Sequence, residues 1–208
     1  KRDTCFICKK IASFDNFKIS KRVFKTLVFM ADLNFDNLET ALTALGQLLQ
    51  DRNLDYQIVV IGGGGLLLIG LMIRTTKDLD LVALLDKGEF VSAKPLPAPL
   101  VQAIEEVAIA FNMSKDWINI GPSDLFTLGL PHGFKGRMST IRYGGLTIHL
   151  AGRFDQICFK LYATVDQGPT SKHYSDLKYL KPDKNELEEA KKWCITHDTS
   201  EGFFTELE

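Results

Sequence analysis

Residues 56–85 read YQIVVIGGGGLLLIGLMIRTTKDLDLVALL, and this stretch decides the fold. Its first six residues form a short β-branched and apolar run, which predicts a buried strand over residues 56–61. Four glycines at 62–65 predict a turn, and the apolar run at 66–73 predicts a buried helix. Residues 79–85 predict a second strand, entered through Asp78, in which Asp80 alternates with apolar neighbours. Two strands joined through a helix predict a domain that combines a β-sheet with helices.

Further elements are predicted on both sides of this stretch. Asp36 and Glu39 have the spacing of a capping box, and leucines at helical spacing follow to about Arg52. Residues 100–111 carry an apolar stripe that predicts another helix. Two short apolar runs flank Gly144 and Gly145, the two-residue signature of a β-hairpin.

The last third of the chain predicts helices. Apolar residues recur at helical spacing from Phe154 to Val165, Pro182 introduces a further helix, and Ser200 caps a last short one. We therefore expect a β-sheet with flanking helices and a helical C-terminal part, and the family resemblance given below implies the α+β class with a mixed β-sheet. The expected division is a basic N-terminal extension at 1–35, a core at 36–152, and helices at 153–208 packed on that core.

Composition restricts the class of protein. The chain has 208 residues, a net charge of -1 and 45% hydrophobic residues, which is typical of a globular protein and not of a disordered one. No apolar run of membrane-spanning length and no signal peptide is present, so no membrane partner and a cytoplasmic location are expected. Residues 1–28 hold eight Lys/Arg and two Asp/Glu. This basic, Phe-containing head fits either RNA contact or a loosely packed extension.

The glycine run does not match two common nucleotide-binding motifs. Neither Gly62-x-Gly64 nor Gly63-x-Gly65 has a glycine three residues further on, so the dinucleotide fingerprint fails. Leu71 follows Gly70 where a phosphate loop requires Lys, so that motif fails as well. A turn that lets an anion approach the backbone closely remains.

Asp78 and Asp80 form a candidate metal site. Two positions apart on a strand, they point to the same face with Cα atoms about 6.6 Å apart. Hard oxygen ligands of this kind suit Mg²⁺, whereas a solvated strand edge is the alternative. Arg74, Thr76 and Lys77 place positive charge and a hydroxyl group just before the pair, as a triphosphate site requires.

The stretch IGGGGLLLIGLMIRTTKDLDL resembles the hG[GS]…Dh[DE]h signature of the nucleotidyltransferase (polymerase-β-like) superfamily. It resembles the motif of a subfamily of small prokaryotic members, which includes the toxins of abortive-infection type IV systems and in which GG is often followed by R-x-T and D-h-D. The matching positions are Gly62, Gly63, Arg74, Thr76, Asp78 and Asp80. The resemblance implies that the first two glycines hold the phosphates of an NTP, with Arg74 and Thr76 beside them, and that Asp78 and Asp80 coordinate Mg²⁺.

The resemblance continues in FDQICFKLYATVDQGPTSKHYSDLKYL, where Lys160 and Asp176 match later motifs and are implied to be catalytic. Simpler interpretations remain open for both residues. Lys160 lies on the flank of an apolar stripe, where a lysine often extends to water. Asp176 is spaced to form a helical ion pair with Lys172 or His173.

Two features depart from the superfamily pattern. Gly64 and Gly65 stand where many active members carry Ser or Thr, so a hydroxyl contact to phosphate is missing. His149 stands where members place a third carboxylate, which usually activates the attacking hydroxyl. Either Asp176 or Asp155 then takes that role, or catalysis is lost.

The resemblance leads to a Mg²⁺-dependent transfer of a nucleoside monophosphate from an NTP to a hydroxyl acceptor, for which tRNA is one candidate. Two alternatives stay open. One is a non-catalytic module that keeps the nucleotide cleft. The other is a toxin that an antitoxin partner neutralises.

Overall fold

The computed structural model describes residues 32–208. Most of the predicted basic extension, residues 1–31, lies outside the described residues, and so does its suggested contact with RNA. The elements of the described part, in chain order, are α1 (Phe35–Asp51), β1 (Tyr56–Ile61), α2 (Gly62–Leu68), β2 (Leu79–Asp86), β3 (Glu89–Val91), α3 (Ala98–Ala110), β4 (Ile118–Asn119), a 3₁₀ turn (Gly121–Ser123), α4 (Asp124–Leu128), α5 (Phe134–Arg137), β5 (Ser139–Tyr143), β6 (Leu146–Leu150), α6 (Arg153–Gln167), α7 (Lys172–Leu180), α8 (Lys184–Ile195) and α9 (Glu201–Leu207).

The described strands form one mixed six-stranded sheet in the order β3-β2-β1-β6-β5, with β4 paired to the start of β2. In the centre, β1 runs parallel to β6 and antiparallel to β2, and Ile61 is paired with Asp80. The hairpin predicted around Gly144 and Gly145 is present between β5 and β6. The α+β class, the mixed sheet with flanking helices and the helical C-terminal part are thus confirmed, while the division into three segments stays a prediction.

The first helix begins one residue before Asp36, and its cap differs from the expected one. Asn34 is the N-cap, and its side-chain oxygen accepts a hydrogen bond from the Asn37 N–H at 2.8 Å. The reason is tertiary: Leu33 is buried and pairs with Thr76 through two backbone hydrogen bonds, which brings Asn34 to the capping position.

The glycine run is the first turn of α2, not a loop before it. All four glycines are buried, and a Cβ atom added at Gly64 or Gly65 would lie 2.7 Å from Leu79 on β2 or 3.0 Å from Gln156 on α6. The helix ends at Leu68 instead of continuing to residue 73. Gly70, at a φ of +72°, follows the end of the helix in the left-handed conformation that commonly terminates helices.

Two apolar layers cover the sheet. One face buries Ile58 and Val60 of β1 beneath α1 and α3. The other buries Val59 and Ile61 against α5 and α6, including Phe159. The helices α7 and α8 pack on α6, which places the C-terminal part beside the glycine helix. None of the helices in the described residues is long and apolar enough to cross a membrane.

Candidate active site

The two predicted metal-binding carboxylates converge at the start of β2. Asp80 lies on this strand and Asp78 immediately precedes it. The side-chain amide of Asn119, on the neighbouring strand β4, is 3.0 Å from Asp80 Oδ1 and 3.4 Å from Asp78 Oδ2. Because one nitrogen lies near both carboxylates, the two acidic groups share one small volume.

Gly62 makes room for this pair. A Cβ atom added at Gly62 would lie 2.1 Å from Asp80 Oδ2, so any side chain would displace the carboxylate. The backbone there has a φ of +74°, which favours glycine. Gly62 donates its N–H to Gln156 Oε1 at 2.9 Å, so that N–H group is already bonded within the protein.

The charge state of Asp80 reflects this crowding. Burial raises the pKa of Asp80 to about 6, and repulsion from Asp78 acts in the same direction. The charges of Lys160 and Lys172 and the hydrogen bond from Asn119 oppose the shift. A cation placed between the two carboxylates would relieve the same repulsion, so the site favours binding of positive charge.

A buried ion-pair network stands next to the carboxylates. Asp176 accepts two hydrogen bonds from Arg74, at 2.8 and 2.6 Å, and a third from Lys160 Nζ at 2.8 Å. Lys160 and Asp176 are only 3% and 2% exposed, whereas the Arg74 side chain is 40% exposed. Arg74 Nη1 donates to the backbone carbonyl of Thr75 at 2.9 Å, so a buried carboxylate and a backbone carbonyl hold a side chain that stays partly open to solvent.

These contacts correct two simpler interpretations. Lys160 does not extend to water but is buried against Asp176. Asp176 is paired with Arg74 and Lys160, which are distant in sequence, and not with the helical neighbours Lys172 or His173. Helical spacing could not predict these partners, because Arg74 and Lys160 come from other elements of the fold. Hydrogen bonds from an ammonium and a guanidinium group stabilise a buried carboxylate strongly.

Asp176 is held in its charged form. Burial acts to raise the pKa of Asp176, but the hydrogen bonds from Arg74 and the charge of Lys160 outweigh it, and the pKa falls below the usual value. The same cations affect His173, since burial and the charges of Lys160 and Lys172 lower the pKa of His173 to about 4. Burial also lowers the pKa of Lys160, and the charge of Asp176 opposes that shift, so the ion pair with Asp176 favours the ammonium form.

Gly63 and Thr76 connect the network to the carboxylates. A Cβ atom added at Gly63 would lie 3.1 Å from Thr76 Oγ1 and 3.7 Å from Arg74 Nη2. Thr76 is buried and donates its hydroxyl to the backbone carbonyl of Asp78 at 3.1 Å. The Thr76 hydroxyl therefore orients the backbone that enters β2. Of the two side chains beside Gly63, Thr76 is buried and Arg74 is partly exposed.

His149, which stands where a third carboxylate is expected, and the two candidates for that role, Asp155 and Asp176, are all bonded to other groups. His149 contacts Gln57 Oε1 at 2.9 Å and Thr140 Oγ1 at 3.0 Å through its two ring nitrogens, and burial lowers the pKa of His149. Asp155 is fully buried and accepts several hydrogen bonds from Arg137. Asp176 is charged and ion-paired with Arg74 and Lys160, as described above.

Sequence reasoning missed Asn119 and Gln156. Asn119 lies on a two-residue strand that no hydrophobic pattern marks, and it reaches Asp80 because the two residues are paired in register. Gln156 faces the glycine helix from α6 and is fully buried. Little in the sequence marked Gln156, because a fully buried glutamine is uncommon and the same helix also buries Asp155 and Lys160.

The eight predicted site residues thus lie in one cluster in which glycines, carboxylates and cations are adjacent. The oxygen ligands of Asp78 and Asp80 fit Mg²⁺, which proteins commonly bind through one or two carboxylates together with substrate phosphates. Among the described residues, no group of three or more His, Cys, Asp or Glu side chains is placed to hold a metal. The pair leaves further coordination positions to a phosphate-bearing ligand.

A mixed sheet with a glycine helix after its central strand and an Asp-x-Asp pair on the next strand defines a nucleotidyltransferase-like protein. A comparison with family models identifies the family. Residues 36–170 match the family described as nucleotidyltransferase of unknown function (DUF6036), and the chain belongs to this family. Lys160 lies inside the matched range and Asp176 follows it. No curated protein and no solved structure gives a significant match.

Proposed function

We propose that this protein is a Mg²⁺-dependent nucleotidyltransferase that moves a nucleoside monophosphate from an NTP to a hydroxyl acceptor. The observation that carries the proposal is the convergence of Asp78 and Asp80 next to a cation pair, Arg74 and Lys160, that Asp176 holds in place. Carboxylates that bind a metal and cations that bind phosphate are the two components that phosphoryl transfer requires.

Each residue of the cluster has a proposed role. Asp78 and Asp80 would hold Mg²⁺, which when bound neutralises charge on the phosphates and orients them for in-line attack. Arg74 would bind the triphosphate through the part of its side chain that is open to solvent, beside Gly63. Gly62 keeps the position of Asp80 open, and Thr76 orients Asp78 through its backbone. Lys160 would stabilise the negative charge that develops during transfer.

The proposed step is a substitution at the α-phosphorus of the NTP. A bond forms between this phosphorus and the acceptor oxygen, the bond to the bridging oxygen of pyrophosphate breaks, and the acceptor proton leaves to solvent. We assign Asp176 to positioning, because its ion pairs with Arg74 and Lys160 keep it a weak base. The geometry thus supports proton release without a dedicated carboxylate base.

The test is incubation of the protein with each α-labelled NTP, Mg²⁺ and total tRNA, and with the protein alone as acceptor. We expect label on one acceptor class and its loss in Asp78→Asn. Asp86→Asn is the matched control, because Asp86 is an exposed aspartate at the far end of the same strand. Full activity in Asp78→Asn, or equal loss in both variants, would contradict the metal assignment.

A second candidate is a non-catalytic nucleotide-binding module. One observation favours it: His149, Asp155 and Asp176 are all hydrogen-bonded or ion-paired to other side chains, so none of them is free to act as the base. It predicts Mg²⁺-dependent NTP binding by calorimetry without transfer to any acceptor. The toxin hypothesis and its antitoxin partner stay predictions, and growth arrest on expression, relieved by Asp78→Asn, would support them.

A further inference from the structure

Asn119 occupies a special position relative to the carboxylate pair. The strand β4 is parallel to β2, and Asn119 is paired in register with Asp80. Its side chain therefore emerges on the same face of the sheet as Asp80 and next to it. The amide nitrogen then reaches Asp80 Oδ1 at 3.0 Å and lies 3.4 Å from Asp78 Oδ2.

The orientation of this amide is set by a second hydrogen bond. Asn119 Oδ1 accepts the backbone N–H of Gly121 at 2.8 Å, at the start of the 3₁₀ turn. With its oxygen occupied there, the amide presents its N–H donors to the carboxylates. Asn119 is thus bonded to the acidic pair as a donor, and its oxygen points away from the pair.

We infer that Asn119 is a positioning residue that holds Asp78 and Asp80 together before a cation binds. Two carboxylates this close repel each other, and a donor shared between them offsets part of that repulsion without adding charge. Partners that bond to metal-binding side chains in this way commonly contribute 10- to 100-fold to metal affinity. The inference rests on the proposed function, since it assigns to the pair the Mg²⁺ site proposed above.

Two variants separate the two functions of the Asn119 amide, which are to donate to the carboxylates and to accept from Gly121. Asn119→Ala removes both, and we expect it to weaken Mn²⁺ binding about 10-fold, measured in the full chain without NTP by the electron paramagnetic resonance signal of free Mn²⁺. Asn119→Asp keeps an acceptor for Gly121 and removes only the donor to the carboxylates. In metal-free buffer of low ionic strength, we expect it to lower the Tm and to gain more Tm from Mn²⁺ than the wild type.

A control variant tests whether loosening the 3₁₀ turn is enough to weaken Mn²⁺ binding. Lys94 bonds the carbonyl of Gly121 and the carboxylate of Asp124 without touching the acidic pair. We expect Lys94→Ala to bind Mn²⁺ as the wild type does. Equal weakening in Lys94→Ala and Asn119→Ala would overturn the positioning role.

The remaining outcomes are decisive as well. Wild-type Mn²⁺ affinity in Asn119→Ala, or an unchanged metal-free Tm in Asn119→Asp, would overturn the inference and leave the proposed function standing. Absence of Mn²⁺ binding to the wild-type protein, with or without an NTP, would instead overturn the proposed function. If Asn119→Ala does not fold, as judged by circular dichroism, the Asn119→Asp measurement decides.

Discussion

Gly62 combines two separate requirements for glycine. Its φ of +74° disfavours any side chain, and its missing Cβ is where the Asp80 carboxylate lies. Gly70 shares the first requirement, at +72°, but nothing lies within 4 Å of a Cβ added there. The two positions therefore allow backbone strain to be separated from contact with the site.

We predict that Gly70→Ala lowers the free energy of unfolding by roughly 1–2 kcal/mol, the cost of the left-handed backbone alone. Gly62→Ala should lower it further and weaken Mn²⁺ binding at least about tenfold, because Asp80 must move from the place where it meets Asp78. Urea unfolding and Mn²⁺ titration measure both effects. Similar Mn²⁺ affinity in the two variants would show that glycine is needed at position 62 for its backbone conformation and not to make room for Asp80.

Asp80 carries a stability cost that a neutral side chain should remove. Its pKa of about 6, above the ordinary value near 4, means that the folded protein binds the proton more tightly than the unfolded chain. Stability is therefore lost as the pH rises from about 4 to 6, and the loss is complete above 6.

We predict that Asp80→Asn raises the Tm in the presence of a chelator at pH 7.5, by at least about 2 °C, and that the gain disappears near pH 4. Thermal unfolding of both proteins across this range measures the difference. Asp86→Asn, at the exposed end of β2, should show no such gain. A lower Tm for Asp80→Asn at pH 7.5 would contradict the argument.

At the scale of elements, the site depends on an ion-pair network between three parts of the chain. Arg74 lies in the connection from α2 to β2, Lys160 on α6 and Asp176 on α7, and their contacts join the sheet to the C-terminal helices. Removal of one partner from a buried pair leaves an uncompensated charge, which is far more costly than loss of an exposed pair.

We predict that Asp176→Asn lowers the free energy of unfolding by at least about 2 kcal/mol, because Lys160 stays buried without a charged partner. Glu189→Gln is the matched control, since its pair with Lys192 is exposed and should contribute nothing measurable. Urea unfolding at neutral pH provides the comparison. Equal stability of Asp176→Asn and the wild type would show that the network does not support the fold.

On the scale of the whole molecule, the question is whether the sheet and the C-terminal helices unfold together. The two tryptophans report on different parts. Trp117 is fully buried in the core beneath α1 and α3, and Trp193 lies on α8 among the aromatic residues that pack on α6. The site itself takes Asp80 from one part and Lys160 from the other.

We predict one cooperative transition. Trp193→Phe and Trp117→Phe each leave one tryptophan, whose fluorescence is followed during unfolding in urea. In each variant, the midpoint from fluorescence should coincide with the midpoint from circular dichroism. The reason is the continuous packing of α6 against both the sheet and the helices α7 and α8. Two separate midpoints within one variant, by fluorescence and by circular dichroism, would indicate independent units.

Local signals sufficed for much of the fold. The hairpin at Gly144 and Gly145 and the cap at Ser200 are present as predicted, because turn and cap chemistry acts over two to four residues. The prediction was wrong at the glycine run and at the start of α1. There, contacts distant in sequence decide the outcome: β2 and α6 enclose the glycines, and Thr76 pairs with Leu33.

By itself, the sequence determined the α+β class, the two strands around the glycines and the pair formed by Asp78 and Asp80, since a two-residue period places both on one face. Family resemblance, not local pattern, added Lys160 and Asp176. Only the tertiary structure brought Asn119 to the pair and joined Asp176 to Arg74, across 39 to 41 and 102 residues of chain. Partners separated so widely in sequence leave no periodic signal, because the register of the sheet and the packing of the helices bring them together.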